Sequence, residues 1–508
     1  MTDAIVFGAR RIGAAALGER VARTAGALAE AGVAAGDTIA LLLRNDAAFA
    51  ELSLAGARLG AAVLPVNWHF RPDEVAYVLE DSGARLLVGH ADLVAPLHGV
   101  AEGVARYVLP TPPELVAAYG LDARWSAPPD RALDWAARVD RAAPWDSPPR
   151  PAPQTMLYTS GTTGRPRGVR RPALDAAGQQ RVAESMAYVF GSRPGMCTLA
   201  CAPLYHAAPN AMAISTLRTG GTLVIQPRFD AEGFLALVAE HRVTHAFMVP
   251  TMFVRLLRLP EAVRAAYDLG SLEWVVHGAA PCPPEVKRAM IEQLGPRLYD
   301  YYGATELGPI TRVSSAEWLA RPGTLGRPVP GAEIRIYDAR GRELPPGEPG
   351  EIYARNANYP DFGYHNQPER RAEVGRGALV TCGDVGWLDA DGYLYLSDRK
   401  RDMIISGGVN IYPAEIEAAL ALMPGVADSA VFGVPDPEFG EAVCAHVQLL
   451  DGAAIEPESV RAFLRERVAG YKVPRVVEIA RELPREESGK IMKRKLREPY
   501  WRSAARAI

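Results

Sequence analysis

Cysteine is scarce in this chain, with five in 508 residues, at positions 197, 201, 282, 382 and 444. So few thiols, odd in number, exclude a disulfide framework, and Cys197 and Cys201 have no matching Cys/His pair to complete a zinc site. Reduced thiols of a cytoplasmic protein account for them. An excess of one charge is also missing. With 56 Lys and Arg against 59 Asp and Glu, the formal charge is −3, and no global basic field recruits nucleic acid or an anionic membrane. Long hydrophobic runs are missing too. The Ala-rich segment 54–66 is broken by Arg58 and falls short of a span, so no integral membrane segment is expected. Residues 1–11 hold an early Asp3 and no apolar core before a cleavage-like site, so they do not read as a signal peptide, and the expected location is the cytoplasm.

What is present is the composition of a globular protein, 48% apolar and 23% charged, in a chain too long for a single core. Small apolar residues at helical spacing over 18–34 precede a buried strand at 37–43, and a second helix over 46–60 leads into a strand at 61–66. Further strands are predicted at 85–88, 222–225 and 274–276 after helical stretches. This alternation implies an α/β fold, a large N-terminal domain of layered, mostly parallel sheets with helices. From about 331 the texture changes to short segments (333–337, 350–353, 393–396) separated by Gly/Pro turns, which predicts a β-rich subdomain. A small α+β C-terminal domain follows, with a helix over 413–422, a strand over 426–434 and a helix over 457–469. The predicted division is 1–397, a linker at 398–402 (Asp-Arg-Lys-Arg-Asp), and 403–508. The Pro-rich stretch 144–153 reads as a connector.

The densest signal is residues 158–169, Tyr-Thr-Ser-Gly-Thr-Thr-Gly-Arg-Pro-Arg-Gly-Val, with three glycines, four aliphatic hydroxyls and two arginines. Glycines bring backbone N–H groups against a ligand, hydroxyls add short donors and arginines pair with phosphate oxygens. It is not a Walker loop, because the Gly-Lys-Ser/Thr ending is missing and Pro166 interrupts a helix start. Residues 302–306, Tyr-Gly-Ala-Thr-Glu, combine a ring that can stack on a purine with a hydroxyl and a carboxylate suited to Mg²⁺ against phosphate. Asp384, in Gly-Asp-Val-Gly at 383–386, reads either as an Asx-turn former or as an acceptor for ribose hydroxyls. Residues 397–413 join a charged run to the glycine turn at 406–408. Ser488-Gly489 precedes Lys490 in a basic C-terminal stretch, and presents its amine from a turn.

In this order, and over about 20–497, these segments resemble the adenylate-forming superfamily of acyl-CoA synthetases, peptide-synthetase adenylation domains and firefly luciferase. The resemblance implies two steps: a carboxylate attacks the α-phosphate of ATP to give acyl-AMP and pyrophosphate, and a thiol then displaces AMP. It implies that Thr159, Ser160, Gly161, Thr162, Thr163 and Gly164 cradle the β- and γ-phosphates, that Glu306 holds Mg²⁺ and that Thr305 contacts the α-phosphate. Tyr302 stacks on adenine by the same resemblance, with Asp300, Tyr301, Gly303 and the backbone of Gly278, Ala279 and Ala280 around it. Asp384 and Arg399 grip the ribose, and Lys490 bridges the carboxylate and the α-phosphate. The chain carries Arg167 where the family often has lysine, which replaces a point charge by a planar fork. The implied hinge falls on Arg401, a position more often Asp or Lys. About it the mobile C-terminal domain rotates, withdrawing Lys490 and bringing Ser406, Gly407 and Gly408 to a pantetheine tunnel.

The resemblance places the acyl pocket beside residues 203–208. His206 there flanks the carboxylate or is a packed structural residue. Ala207, Ala208, Phe247, Met248, Gly278, Tyr301, Gly303, Pro309 and Ile310 are the expected liners. They are apolar and favour a fatty or aromatic monocarboxylic acid. Coenzyme A is the expected acceptor, with Lys472 near its phosphates. The rivals are a standalone ligase that loads a carrier protein, and an idle AMP- or acyl-binding sensor. A homodimer is left open.

Overall fold

The computed structural model describes residues 3–99, 103–130, 132–159, 166–280, 282–399, 402–406, 409–436, 439–485 and 491–503. The strand Thr38–Leu42 is buried throughout its length, as a central parallel strand covered on both faces must be. It lies between Ala62–Pro65 and Ala84–His90 in a five-stranded parallel sheet continued by Ala105–Leu109 and Leu133–Asp134. The helix Ala14–Glu30 buries Leu17, Val21, Ala25 and Leu28, one stripe at helical spacing, and packs on the helix Ala47–Leu59. It begins and ends four residues before the predicted 18–34. The reason is Gly32, whose φ of +85° lets the chain reverse so that the Val33 N–H returns to the Leu28 carbonyl at 3.0 Å.

The second sheet is the frame for the cavity. Asp3–Phe7, Thr222–Ile225, Cys197–Ala200, His245–Met248, Trp274–His277 and Leu298–Ala304 follow one another across it in parallel. The chain leaves Cys197–Ala200 for the neighbour on one side, Thr222–Ile225, then returns to the other side at His245–Met248. Such a reversal opens a crevice at the carboxyl ends of the strands, where the two connections part. The same sheet continues antiparallel through Gly308–Ser314 and Thr324–Pro328 into Leu394–Arg399, Leu379–Leu388, Gly350–Asn356 and Ala332–Tyr337. The predicted β-rich region is therefore an extension of the large sheet, joined edge to edge. The Pro-rich stretch 144–153 holds no helix or strand.

Beyond Arg399 the next strand is Ile404–Ser406, in a separate five-stranded sheet with Val409–Ile411, Gly440–Leu449, Val426–Asp436 and Val476–Ala480. Helices Pro413–Leu420 and Pro457–Arg465 bury Ile416, Leu420, Val460 and Leu464 against it. The mixed α/β class expected from the alternating pattern is what the chain adopts. No helix among the described residues is long and apolar enough to cross a membrane.

Candidate active site

A cavity of about 1910 Å³ opens at the carboxyl ends of the parallel strands. Strand direction explains its walls. His206, Ala207 and Ala208 follow Cys197–Ala200, Val249 follows His245–Met248, Ala279 follows Trp274–His277, and Thr305 and Glu306 follow Leu298–Ala304. A further wall is the antiparallel pair of Leu157–Thr159 and Arg167–Arg170, in which Thr159 pairs with Arg167. Of the predicted residues, Ser160, Gly161, Thr162, Thr163, Gly164, Arg401, Gly407, Gly408 and Lys490 lie outside the described ones.

Beside this strand pair, Glu306 Oε1 accepts hydrogen bonds from Thr159 Oγ1 and from the Tyr364 hydroxyl, both at 3.2 Å. The Glu306 main chain is held as well, because Arg171 Nη2 donates to its carbonyl at 2.6 Å and Nη1 to that of Thr305 at 2.8 Å. Burial pushes the Arg171 guanidinium down from its ordinary value. Tyr158 donates to Asp81 Oδ2 at 2.6 Å, and burial together with that carboxylate pushes its phenol far up. Among the described residues no group of three or more His, Cys, Asp and Glu could hold a metal unaided. A single half-buried carboxylate, Glu306, fits Mg²⁺, which keeps several waters and takes most of its other ligands from bound phosphates.

The neighbouring wall carries backbone strain. Ala279 lines the cavity with φ of +67°, a left-handed conformation that costs a side-chain-bearing residue about 1–2 kcal/mol. A Cβ at Gly278 would stand 2.8 Å from the Tyr301 ring, so glycine alone lets this turn close on that ring. Tyr302 donates its hydroxyl to Asp384 Oδ2 at 2.7 Å, and Asp384 faces Arg399 in the strand register. Asp300 departs from its expected place at an adenine edge. It is buried and accepts from Lys287 Nζ at 2.6 Å, with His277 Nε2 3.5 Å away. Lys287 also sits 4.9 Å from the Trp318 ring, and burial lowers His277 to about 4.

On the acyl side, His206, Ala207, Ala208, Phe247, Tyr301, Gly303 and Pro309 line the cavity. Gly278, Met248 and Ile310 do not, and for the last two the reason is the two-residue period of a strand. Phe247 and Pro309 face the cavity, so their neighbours turn to the opposite face, where both are wholly buried in the core. Sequence reasoning missed Val249, Arg171, Tyr364, and Met186 and Phe190 of the helix Ala176–Phe190, all of which line the cavity. Phe190 packs edge-on to Tyr301 at 5.2 Å. His206 precedes the first turn of the helix Ala207–Arg218, its ring 4.3 Å from that of Tyr205. In the C-terminal sheet, Ser406 ends the strand Ile404–Ser406, and Lys472 is committed to Glu415 at 2.6 Å instead of standing open to a phosphate.

A model of the AMP-binding enzyme family matches residues 2–359, and one of the AMP-binding enzyme C-terminal domain matches 415–490. The chain is 36% identical to a feruloyl-CoA synthase of an Amycolatopsis species, over 98% of its own length and 96% of the relative's. It is 32% identical to the fatty acid–[acyl-carrier-protein] ligase ScoC of Streptomyces coeruleorubidus, covering 96% and 91% of the two chains. Its fold matches the amide bond synthetase McbA of Marinactinospora thermotolerans with a TM-score of 0.83 and 30% identity, over 98% and 97%.

Proposed function

The chain belongs to the AMP-binding enzyme family, in its acyl-CoA ligase branch and as an AMP-forming acid–thiol ligase, and from that premise we propose that it joins a fatty or aromatic monocarboxylic acid to coenzyme A. In the first step a carboxylate oxygen attacks the α-phosphorus of ATP and pyrophosphate leaves. In the second the CoA sulfur attacks the acyl carbon, its proton is lost and AMP leaves.

The observation that carries this reading is the fixing of Glu306 by Thr159 and Tyr364 in the same cavity as the apolar wall of Ala207, Ala208 and Phe247. Polyphosphate chemistry and an apolar acid are thereby set side by side. Residues 159–164 and Arg167 cradle the β- and γ-phosphates, and Glu306 would hold Mg²⁺. When bound, that ion neutralises phosphate charge in the in-line displacement. Thr305 contacts the α-phosphate. Tyr301, Tyr302 and Gly303 with the turn Gly278, Ala279 and Ala280 flank the adenine, Asp300 acts from behind that turn, and Asp384 with Arg399 takes the ribose. His206 flanks the acid carboxylate. Lys490 stabilises the charge that develops as the two anions meet, because a cation fixed there is worth most where charge grows. Residues 398–402, with Arg401 as hinge, separate the 1–397 and 403–508 domains. Rotation about them carries Lys490 away and brings Ser406, Gly407 and Gly408 in for the thiol step.

Similarity to a carrier-protein ligase supports a second acceptor, the pantetheine thiol of a carrier protein. A panel of aliphatic and aromatic acids, read by AMP release with CoA or with a loaded carrier protein, separates the two. AMP and acyl-CoA from a monocarboxylic acid are expected. Turnover only with carrier protein would transfer the activity to the second acceptor. No ATP–pyrophosphate exchange with any acid would end both readings and leave an AMP- or acyl-binding sensor.

A further inference from the structure

Arg171 stands one residue past the strand Arg167–Arg170, in a run of two arginines before Pro172 that looks from sequence like a solvated patch. Its guanidinium instead reaches into the cavity wall and spends each of its three nitrogens on a main-chain carbonyl. Nη1 donates to Thr305 at 2.8 Å, Nη2 to Glu306 at 2.6 Å and Nε to Pro360 at 3.1 Å. Tyr359 and Phe362 rings lie 5.9 Å from its centre. Burial opposes its charge, while Tyr359 and the Glu306 and Asp361 carboxylates favour it, so a guanidinium stands at the cavity wall. Only a planar fork can hold two successive carbonyls and a third from another segment; a lysine ammonium has one nitrogen for all three.

The consequence lies in what the two residues it grips do. Glu306 is fixed at its carboxylate by Thr159 and Tyr364 and at its backbone by Arg171, and Thr159 and Arg171 flank the two strands of one antiparallel pair. Strand pair and carboxylate are therefore tied together twice, once through each strand.

We propose that Arg171 is a positioning residue for MgATP. Its fork sets the Thr305–Glu306 backbone so that the Glu306 carboxylate faces the phosphates, and its positive charge at the cavity wall favours the polyphosphate there. This rests on the reading of the cavity as an ATP site.

The test uses Arg171→Met and Arg171→Lys in the full chain. MgATP binding is measured without any acid, by calorimetry and by the rise in melting temperature. The Mg²⁺ concentration that half-saturates pyrophosphate exchange, and thioester formation from preformed acyl-AMP, are measured alongside. Loss of charge-assisted hydrogen bonds predicts MgATP binding weaker by about tenfold or more in Arg171→Met, with a higher Mg²⁺ requirement. Transfer from preformed acyl-AMP is expected within about twofold of the parent, since that step needs no polyphosphate. Arg171→Lys is expected to regain part of the ATP affinity through its charge and none of the Mg²⁺ requirement, which depends on the fork. Unchanged MgATP affinity and Mg²⁺ requirement in both variants would overturn the proposal. So would an equal fall in both half-reactions with the Mg²⁺ requirement unmoved, the mark of a packing role. If Arg171→Met does not fold, Arg171→Lys alone decides through its Mg²⁺ requirement. If the parent binds no MgATP, the ATP-site reading itself fails, and that outcome is separate because this measurement needs no acid substrate.

Discussion

The two sides of the cavity are built by different physics. On the phosphate side, Glu306 is fixed through four hydrogen bonds, two hydroxyls on its carboxylate and an arginine fork across its carbonyl and that of Thr305. On the acyl side, Ala207, Ala208, Phe247 and Tyr301 are placed by packing and by strand alternation, with rings meeting edge-on at 5.2 Å and 6.2 Å. Directional bonds fail abruptly when one partner is removed, whereas packed walls change their fit by degrees. In the proposed function, the reaction is held by the first side and the choice of acid by the second. The variants that follow set the two apart.

The largest effect is expected at Lys490. Lys490→Ala should slow adenylation by on the order of 10²–10³, while thioester formation from preformed acyl-AMP survives, as read by pyrophosphate exchange against acyl transfer. Equal losses in both would remove the division of labour between the domains. Next comes Glu306→Gln, which keeps the shape and removes the charge. Adenylation should fall by about a hundredfold at fixed Mg²⁺ and recover partly as Mg²⁺ is raised, since one metal contact is weakened rather than erased. An Mg²⁺ titration showing no recovery would place the metal elsewhere. On the other wall, Ala207→Phe should fill space without touching phosphate. A change of about 10- to 100-fold in kcat/KM between bulky and small acids is expected, with the KM for ATP unmoved. Uniform loss across acids and ATP alike would merge the two sides into one.

The same contrast explains what the sequence discloses. Residues whose chemistry is local, such as Thr159 and Thr305-Glu306, carry their bonding groups in the motif itself, and the structure brings Thr159 and Glu306 together at 3.2 Å. The parallel strands are legible as buried runs, with 222–225 and 274–276 close to their observed extents. A run buried on both faces hides which side meets the cavity, so Met248 and Ile310 read as liners although each is turned into the core. Pairings made across the chain leave no local trace. Arg171 grips carbonyls more than 130 residues away and looks like half of a surface charge pair. Lys287 sits on a helix with Glu285, Arg288 and Glu292, and nothing in that pattern marks it as the buried partner of Asp300.

That buried cluster yields the smallest expected effect, one on stability. His277 is fully buried, neither ring nitrogen makes a hydrogen bond, and Asp300, Lys287 and the Phe253 ring surround it. Burial lowers its value to about 4 against an ordinary 6.5, with Asp300 opposing and Lys287 assisting. The fold therefore keeps the ring neutral, while the unfolded chain takes up a proton as pH drops below about 6.5. Between those two values the unfolded state binds more protons, so stability is complete above about 6.5 and declines as pH falls toward 4. At pH 5 the expected loss from this one ring is on the order of 1–2 kcal/mol, read as a lower urea midpoint at unchanged slope. His277→Gln removes the titration and should flatten that part of the pH profile, whatever its own cost at neutral pH. The turn of Gly278, Ala279 and Ala280 begins at the next residue, so the variant also tests whether this support behaves as packing or as a directional bond. A flattened pH profile with MgATP affinity kept within about twofold assigns it to packing, and an affinity that falls with the profile assigns it to the phosphate-side network.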